Sequence, residues 1–170
     1  FARLVGRTVD GEALSPHFRD EDTATIGFKR DDDAFVELRK TEILLVTPAG
    51  RASVAASDLA FPNGMVITPD GRTLIVGESF AARLTAFERA PDGALGKRRV
   101  FAKLEGATPD GICLDAEGCV WIASPPSKEC LRVREGGEIV ERVRTRSLAI
   151  ACMLGGDDRR TLYVLTSESL

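Results

Sequence analysis

The sequence has little of several features on which common functional sites depend. Its 170 residues include one histidine, His17, which gives no basis for a Ser-His-Asp triad, and its cysteines form no Cys-X-X-Cys pair. No apolar run approaches 18 residues, so we expect no transmembrane helix. The formal net charge of −3 leaves no broad basic surface, which argues against nucleic acid and membranes as partners.

The four cysteines are spread along the second half of the chain, at Cys113, Cys119, Cys130 and Cys152. Scattered cysteines in strand contexts behave as small buried apolar residues, which favours packing over a disulfide or a zinc site. A nucleophilic Cys152 would need a base, and no histidine lies near it in the repeat, so we interpret it as a packing residue. Reduced thiols suit a cytoplasmic protein.

What the sequence does contain is a near-repeat. Phe-Pro-Asn-Gly at 61–64 returns 47 residues later as Thr-Pro-Asp-Gly at 108–111, and each copy precedes a short apolar strand, a tight turn and a second apolar strand. A period in the forties built from short strands is typical of β-propeller blades. The sequence therefore predicts an all-β fold, a β-propeller of four-stranded antiparallel blades. Equivalent positions then converge on one channel, which brings Asn63 and Asp110 together.

The strand pattern gives about 2.5–3.5 blades. We predict an outer hairpin at 43–57, blades at about 60–104 and 107–146, and a half blade at 150–167, so that 43–170 is a partial propeller. Because an open arc leaves apolar blade faces uncovered, we expect the later part of a larger ring or a homo-oligomer of identical arcs. The absence of an initiator methionine at Phe1 also leads us to expect a partial chain.

Residues 1–42 stay unassigned, as an irregular segment or a divergent blade. They hold a mixed-charge run at 19–22 and three aspartates at 31–33, without a periodic apolar pattern. The aspartates lack the glycine and the terminal glutamate that a calcium-binding loop requires, so we predict a solvated loop.

Three ordered motifs resemble the gluconolactonase, regucalcin and luciferin-regenerating-enzyme family. They are Leu-Ala-Phe-Pro-Asn-Gly-Met at 59–65 with Pro-Asp-Gly-Arg-Thr-Leu at 69–74, Pro-Asp-Gly-Ile-Cys-Leu-Asp at 109–115 with Val-Trp-Ile-Ala at 120–123, and Cys-Met-Leu-Gly-Gly at 152–156 with Thr-Leu-Tyr-Val at 161–164. The resemblance covers roughly residues 43–167. It implies a six-bladed propeller that hydrolyses sugar lactones or related cyclic esters with one divalent metal ion.

The resemblance also implies a metal site at Asn63 and Asp110. The ion would be calcium or zinc, with magnesium and manganese as alternatives, and Asp110 would also take a proton from the attacking water. The family's glutamate ligand near the start of the propeller, and a second channel asparagine, have no recognisable counterpart in this sequence. The alternative is a structural role, in which Asn63 and Asp110 cap tight turns, as these residue types before glycine often do.

Other candidates follow from position along the strands. Glu78 and Ser79 come after the second strand of the first blade, where a loop could bring them into contact with substrate or form an exposed turn. Trp121 and Tyr163 lie mid-strand and are predicted to be blade core. The alternative to a lactonase is a non-catalytic propeller remnant that binds a ligand or a partner chain.

Overall fold

Short antiparallel strands make up nearly all the regular structure of the described residues, which are 27–29, 35–37 and 41–169 of the computed structural model. The strands are β1 Gly27–Lys29, β2 Phe35–Glu37, β3 Thr41–Val46, β4 Ala52–Leu59, β5 Pro62–Ile67, β6 Thr73–Glu78, β7 Arg83–Arg89, β8 Leu95–Lys103, β9 Ile112–Leu114, β10 Val120–Ser124, β11 Glu129–Val133, β12 Ile139–Arg144, β13 Leu148–Gly155 and β14 Thr161–Ser167. His17, the run 19–22 and the aspartates at 31–33 lie outside the described residues.

The strands form two four-stranded sheets and three hairpins within that part of the chain. The sheets have the orders β5-β6-β7-β8 and β9-β10-β11-β12, and the hairpins are β1-β2, β3-β4 and β13-β14. Every pairing is antiparallel between neighbours along the chain, as blades require. The predicted all-β class of four-stranded antiparallel blades is confirmed.

Helical structure among the described residues is limited to a 3₁₀ turn at Ser79–Ala81. No helix there is long and apolar enough to cross a membrane.

Side chains of the second strand in each blade alternate between two cores. Within β6, Leu74 and Val76 pack toward β3 and β4, whereas Ile75 packs toward the second four-stranded sheet. Within β10 the same alternation sends Ile122 toward the first sheet and Trp121 toward β13 and β14. Because side chains of a strand point to opposite faces in turn, a strand between two layers is apolar throughout.

Several apolar side chains on the outer faces of the described sheets are exposed to solvent. Met65 and Ile67 of β5 are 59% and 50% exposed, and Tyr163 of β14 is 59% exposed. The prediction that Tyr163 is blade core was therefore wrong, whereas Trp121 is buried at 7% exposure. Alternation turns Tyr163 away from the layer that its neighbours Leu162 and Val164 pack against.

The first strands of successive sheets approach so closely that only glycine fits. A Cβ atom on Gly64 would lie 2.5 Å from the carbonyl oxygen of Asp110, and one on Gly111 would lie 2.5 Å from the Cβ of Ala151. Backbone hydrogen bonds cross both contacts, from the Gly64 N–H to Asp110 at 3.0 Å and from the Gly111 N–H to Ile150 at 2.9 Å. These glycines allow neighbouring blades to share main-chain hydrogen bonds.

We expect Gly111→Ala to destabilise the fold by about 1–3 kcal/mol, the usual range for overpacking a close contact, because the added methyl group meets Ala151. Chemical denaturation of the purified variant measures this loss. Gly96→Ala is the matched control, since a Cβ at Gly96 meets nothing within 4 Å. Equal stability of the two variants would show that the contact is not as tight as described.

Candidate functional site

Asn63 and Asp110 lie together where the first two four-stranded sheets meet. Asn63 is an exposed residue at the start of β5, and Asp110 is a half-buried residue just before β9. The Gly64 N–H donates to the Asp110 carbonyl at 3.0 Å, and the Asp110 N–H donates to the Ala123 carbonyl at 2.9 Å. The backbone of both site residues is therefore fixed by the packing of blade on blade.

Asp110 belongs to one of three Pro-Asp-Gly sequences, and the other two are hairpin turns. The Asp70 carboxylate accepts from the Arg72 N–H at 3.0 Å, and the Asp92 carboxylate accepts from the Ala94 N–H at 3.0 Å. Among the described residues, no backbone N–H lowers the pKa of Asp110 in this way, and the neighbouring Asn63 side chain is the donor that acts on its carboxylate. Asp110 therefore does not cap a turn of its own. The alternative interpretation, in which Asp110 is a turn cap, does not fit this geometry.

The pKa values of Asp110 and Asp70 shift in opposite directions because their surroundings differ. Burial raises the pKa of Asp110 above its ordinary value of 3.8, and the hydrogen bond from Asn63 opposes part of that rise. Hydrogen bonds from the Thr68 hydroxyl and the Arg72 N–H lower the pKa of Asp70. Folding therefore disfavours the ionised form of Asp110. A nearby cation would favour that ionised form.

Ser79 connects the two site residues. Its hydroxyl donates to the Pro109 carbonyl at 2.7 Å and accepts from Nδ2 of Asn63 at 3.4 Å. Ser79 is 7% exposed, and its N–H donates to the Phe61 carbonyl at 3.0 Å. The sequence predicted Ser79, together with Glu78, to lie in a loop that contacts substrate or in an exposed turn, and it did not indicate the contact with Asn63.

Glu78 is fully buried at the end of β6, inside a network of hydrogen-bond donors. Its oxygens accept from the Ala60 N–H at 2.7 Å, from Arg83 at 2.9 and 3.1 Å, from Arg98 at 3.1 Å and from the Thr85 hydroxyl. Burial raises the pKa of Glu78, but these partners outweigh it and lower the pKa overall. Substrate contact by Glu78 stays a prediction, and the function proposed below does not require it.

The donors at the site suit part of a metal site. An amide oxygen and a carboxylate are ligands that hard divalent cations prefer. Among residues 41–169, no group of three or more histidine, cysteine, aspartate or glutamate side chains is placed to hold a metal ion. Asn63 and Asp110 therefore supply two oxygen donors of the kind that a hard cation prefers, fewer than the six to eight that calcium takes.

Three of the four buried free cysteines meet near the site. The Sγ atoms of Cys113 and Cys152 are 4.0 Å apart, and the Cys152 thiol also lies 3.5 Å from the Trp121 carbonyl. Contact with Cys113 and Cys130, together with burial, raises the pKa of Cys152. A thiol held protonated among apolar neighbours is a packing group, not a nucleophile.

Comparison with known proteins identifies the family. A model described as SMP-30/Gluconolactonase/LRE-like region matches residues 23–168. The chain belongs to this family. This confirms the resemblance inferred from the motifs and, with the sheets described above, assigns the chain to the SMP-30/gluconolactonase β-propellers.

Individual relatives of this family cover most of the chain. A 6-deoxy-6-sulfogluconolactonase of Pseudomonas putida is 31% identical over 75% of this chain and 45% of its own length. A gluconolactonase of Xanthomonas campestris is 25% identical, with a TM-score of 0.65 over 95% of this chain and 61% of its own. Regucalcin of Agrobacterium tumefaciens, described as calcium-binding, is 25% identical, with a TM-score of 0.64 over 72% of this chain and 43% of its own. The chain spans about half the length of the curated relatives it matches.

Asp110→Asn and Asp70→Asn should change stability in opposite directions at pH 7. The raised pKa means that ionised Asp110 destabilises the fold above that pKa, so Asp110→Asn raises the melting temperature at pH 7 and loses this advantage toward pH 3.8. The lowered pKa of Asp70 stabilises the fold above 3.8, so Asp70→Asn lowers the melting temperature. Thermal melts between pH 3 and 8 measure both effects, and shifts of the same sign would contradict the assignment.

Glu78→Gln should destabilise the fold because it leaves Arg83 and Arg98 without their carboxylate partner. We expect a loss of about 3 kcal/mol at pH 7, the low end for breaking a buried pair, because both guanidinium groups are about one-third exposed. The lowered pKa means that the wild-type advantage exists above pH 4.5 and declines as the pH falls through the folded-state pKa. Urea titrations at pH 7 and pH 3 test this, with Glu88→Gln, in an exposed ion pair, as control.

Proposed function

We propose that this protein opens sugar lactones or related cyclic esters by hydrolysis, using a divalent metal ion bound in part by Asn63 and Asp110. The observation that carries the proposal is that the Gly64 N–H, next to Asn63, bonds the carbonyl of a half-buried Asp110, whose carboxylate caps no turn and has a raised pKa. Relatives named 6-deoxy-6-sulfogluconolactonase and L-arabinolactonase support the substrate class.

Asn63 and Asp110 would hold the metal through the amide oxygen and one carboxylate oxygen. Calcium or zinc is the proposed ion, with magnesium and manganese as alternatives, and the calcium-binding regucalcin relative supports calcium. When bound, the ion would polarise the ester carbonyl and stabilise the negative charge that develops on its oxygen. The neutral amide of Asn63 adds a ligand without cancelling the charge of the ion.

Asp110 also serves as the general base in this proposal. Its second carboxylate oxygen takes a proton from the attacking water while a new C–O bond forms at the carbonyl carbon. The ring C–O bond then breaks, and the released alkoxide recovers the proton, which gives an open-chain hydroxy acid. Burial raises the pKa of Asp110 and so strengthens it as a base, while a bound cation would oppose part of that rise.

A non-catalytic role has one specific observation in its favour. Asn63 and Asp110 supply only two metal ligands within the described residues, and Met65, Ile67 and Tyr163 leave apolar sheet faces exposed there. A propeller remnant that binds a partner chain, or a second copy of itself, would use those faces. Metal-dependent hydrolysis separates the two functions, because the remnant would show none.

We expect the 170-residue chain to hydrolyse gluconolactone and arabinolactone only with calcium, zinc, magnesium or manganese present. Asp110→Asn should lower kcat/KM by at least ~100-fold, the usual effect of removing a general base, and Asn63→Ala should weaken metal activation. The wild-type rate should rise with pH as Asp110 loses its proton, because both metal binding and proton transfer need its carboxylate form. A pH-stat assay with each metal measures these rates.

Asp70→Asn and Asp92→Asn are the matched controls, since both change a Pro-Asp-Gly aspartate that only caps a hairpin turn. They should keep the wild-type rate. Unchanged hydrolysis in both Asn63→Ala and Asp110→Asn, or a rate independent of metal, would contradict the proposed function.

A further inference from the structure

We propose that Ser79 is a positioning residue that sets the orientation of the Asn63 amide, so that the amide oxygen faces away from the protein's own hydrogen-bond acceptors. This inference rests on the proposed function, because the oxygen so presented is the one assigned to the metal ion. Ser79 touches neither the metal nor the substrate in this proposal. It acts through Asn63.

The first step is a count of the hydrogens on Ser79. A hydroxyl group has one hydrogen to donate and two lone pairs. That hydrogen is committed to the Pro109 carbonyl at 2.7 Å, in a buried bond between the two blades. Toward Asn63, at 3.4 Å, the hydroxyl can therefore only accept, so the amide must present its amino group to Ser79.

The second step is the other hydrogen of the same amino group. Asn63 also lies beside the Asp110 side chain and, as a donor to it, opposes part of the rise in the pKa of Asp110. An ionised carboxylate can only accept, so this bond also uses Nδ2. With one N–H directed to Ser79 and the other to Asp110, neither neighbour engages Oδ1 of Asn63. That oxygen is the atom that a hard cation would bind.

The third step is the rigidity of Ser79 itself. Its N–H donates to the Phe61 carbonyl, two residues before Asn63, and its hydroxyl reaches the carbonyl of Pro109, directly before Asp110. Ser79 also begins the 3₁₀ turn and is 7% exposed. One small side chain thus joins the segments that carry both site residues, which fixes their relative position before any ligand binds.

Ser79→Ala removes the acceptor for the Asn63 amino group and leaves the amide free to rotate. We expect calcium affinity, measured by isothermal calorimetry on the full chain, to fall roughly 10- to 100-fold, as for other groups that orient a metal ligand. Ser79→Thr keeps the hydroxyl and should restore affinity to within ~3-fold of wild type. If Ser79→Ala folds poorly, Ser79→Cys serves in its place, since a thiol is a weak acceptor.

Thr85→Val is the matched control for stability. It also removes a buried hydroxyl in the same blade, but that hydroxyl donates to Glu78 and not to the site. Its affinity for calcium should equal that of wild type, even where its melting temperature falls as far as that of Ser79→Ala.

The side-chain amide signals of Asn63 give a readout that needs no metal. In ¹⁵N–¹H spectra, Ser79→Ala should shift the Asn63 Nδ2 proton signals, because the amide loses both the Ser79 acceptor and its fixed orientation. Wild-type amide signals in Ser79→Ala, or equal loss of affinity in Thr85→Val, would overturn the inference. Wild-type protein that binds neither calcium nor zinc would overturn the proposed function instead, and the amide spectra would still decide the role of Ser79.

Discussion

The constraint on which the structure depends is the close approach of backbones between blades. Gly64 and Gly111 each lie where a side chain would collide with the next blade, at Asp110 and Ala151 respectively. The hydrogen bonds that cross these contacts tie the first strands of neighbouring blades together. The residue before each such glycine, Asn63 or Asp110, is held by the same contact. The close packing of neighbouring blades therefore also fixes the backbone positions of the two candidate ligands.

This dependence explains what the sequence could reveal. The repeat of Asn63-Gly64 as Asp110-Gly111 reflects a backbone requirement, because a blade needs glycine there, and so the repeat predicted strand order and fold class well. The alternation on β6 and β10 was visible as continuous apolar runs, since both faces of those strands are covered. The sequence pattern was enough to predict those features that depend on local backbone geometry or on regular layering of the sheets.

The amino-acid sequence could not distinguish the three Pro-Asp-Gly motifs, because they differ only in their tertiary contacts. Gly71 and Gly93 adopt left-handed φ angles of +72° and +92° in hairpin turns, whereas Gly111 is required by its contact with Ala151. Tyr163 was misplaced for a similar reason, since alternation alone does not say which face a neighbouring layer covers. Nor does a glutamate at a strand end reveal that Arg83, Arg98 and Thr85 will surround it.

The fully buried carboxylate of Glu78 and the half-buried carboxylate of Asp110 have different surroundings in the fold. The fold surrounds Glu78 with two guanidinium groups, a hydroxyl and an N–H, so that its charge is satisfied and its pKa falls. It gives Asp110 a single amide donor, and its pKa rises. A carboxylate buried without compensation destabilises the folded state, and such groups concentrate at sites where a ligand supplies the missing charge. Under the proposed function, a cation bound by Asp110 and Asn63 would relieve the cost of this uncompensated burial.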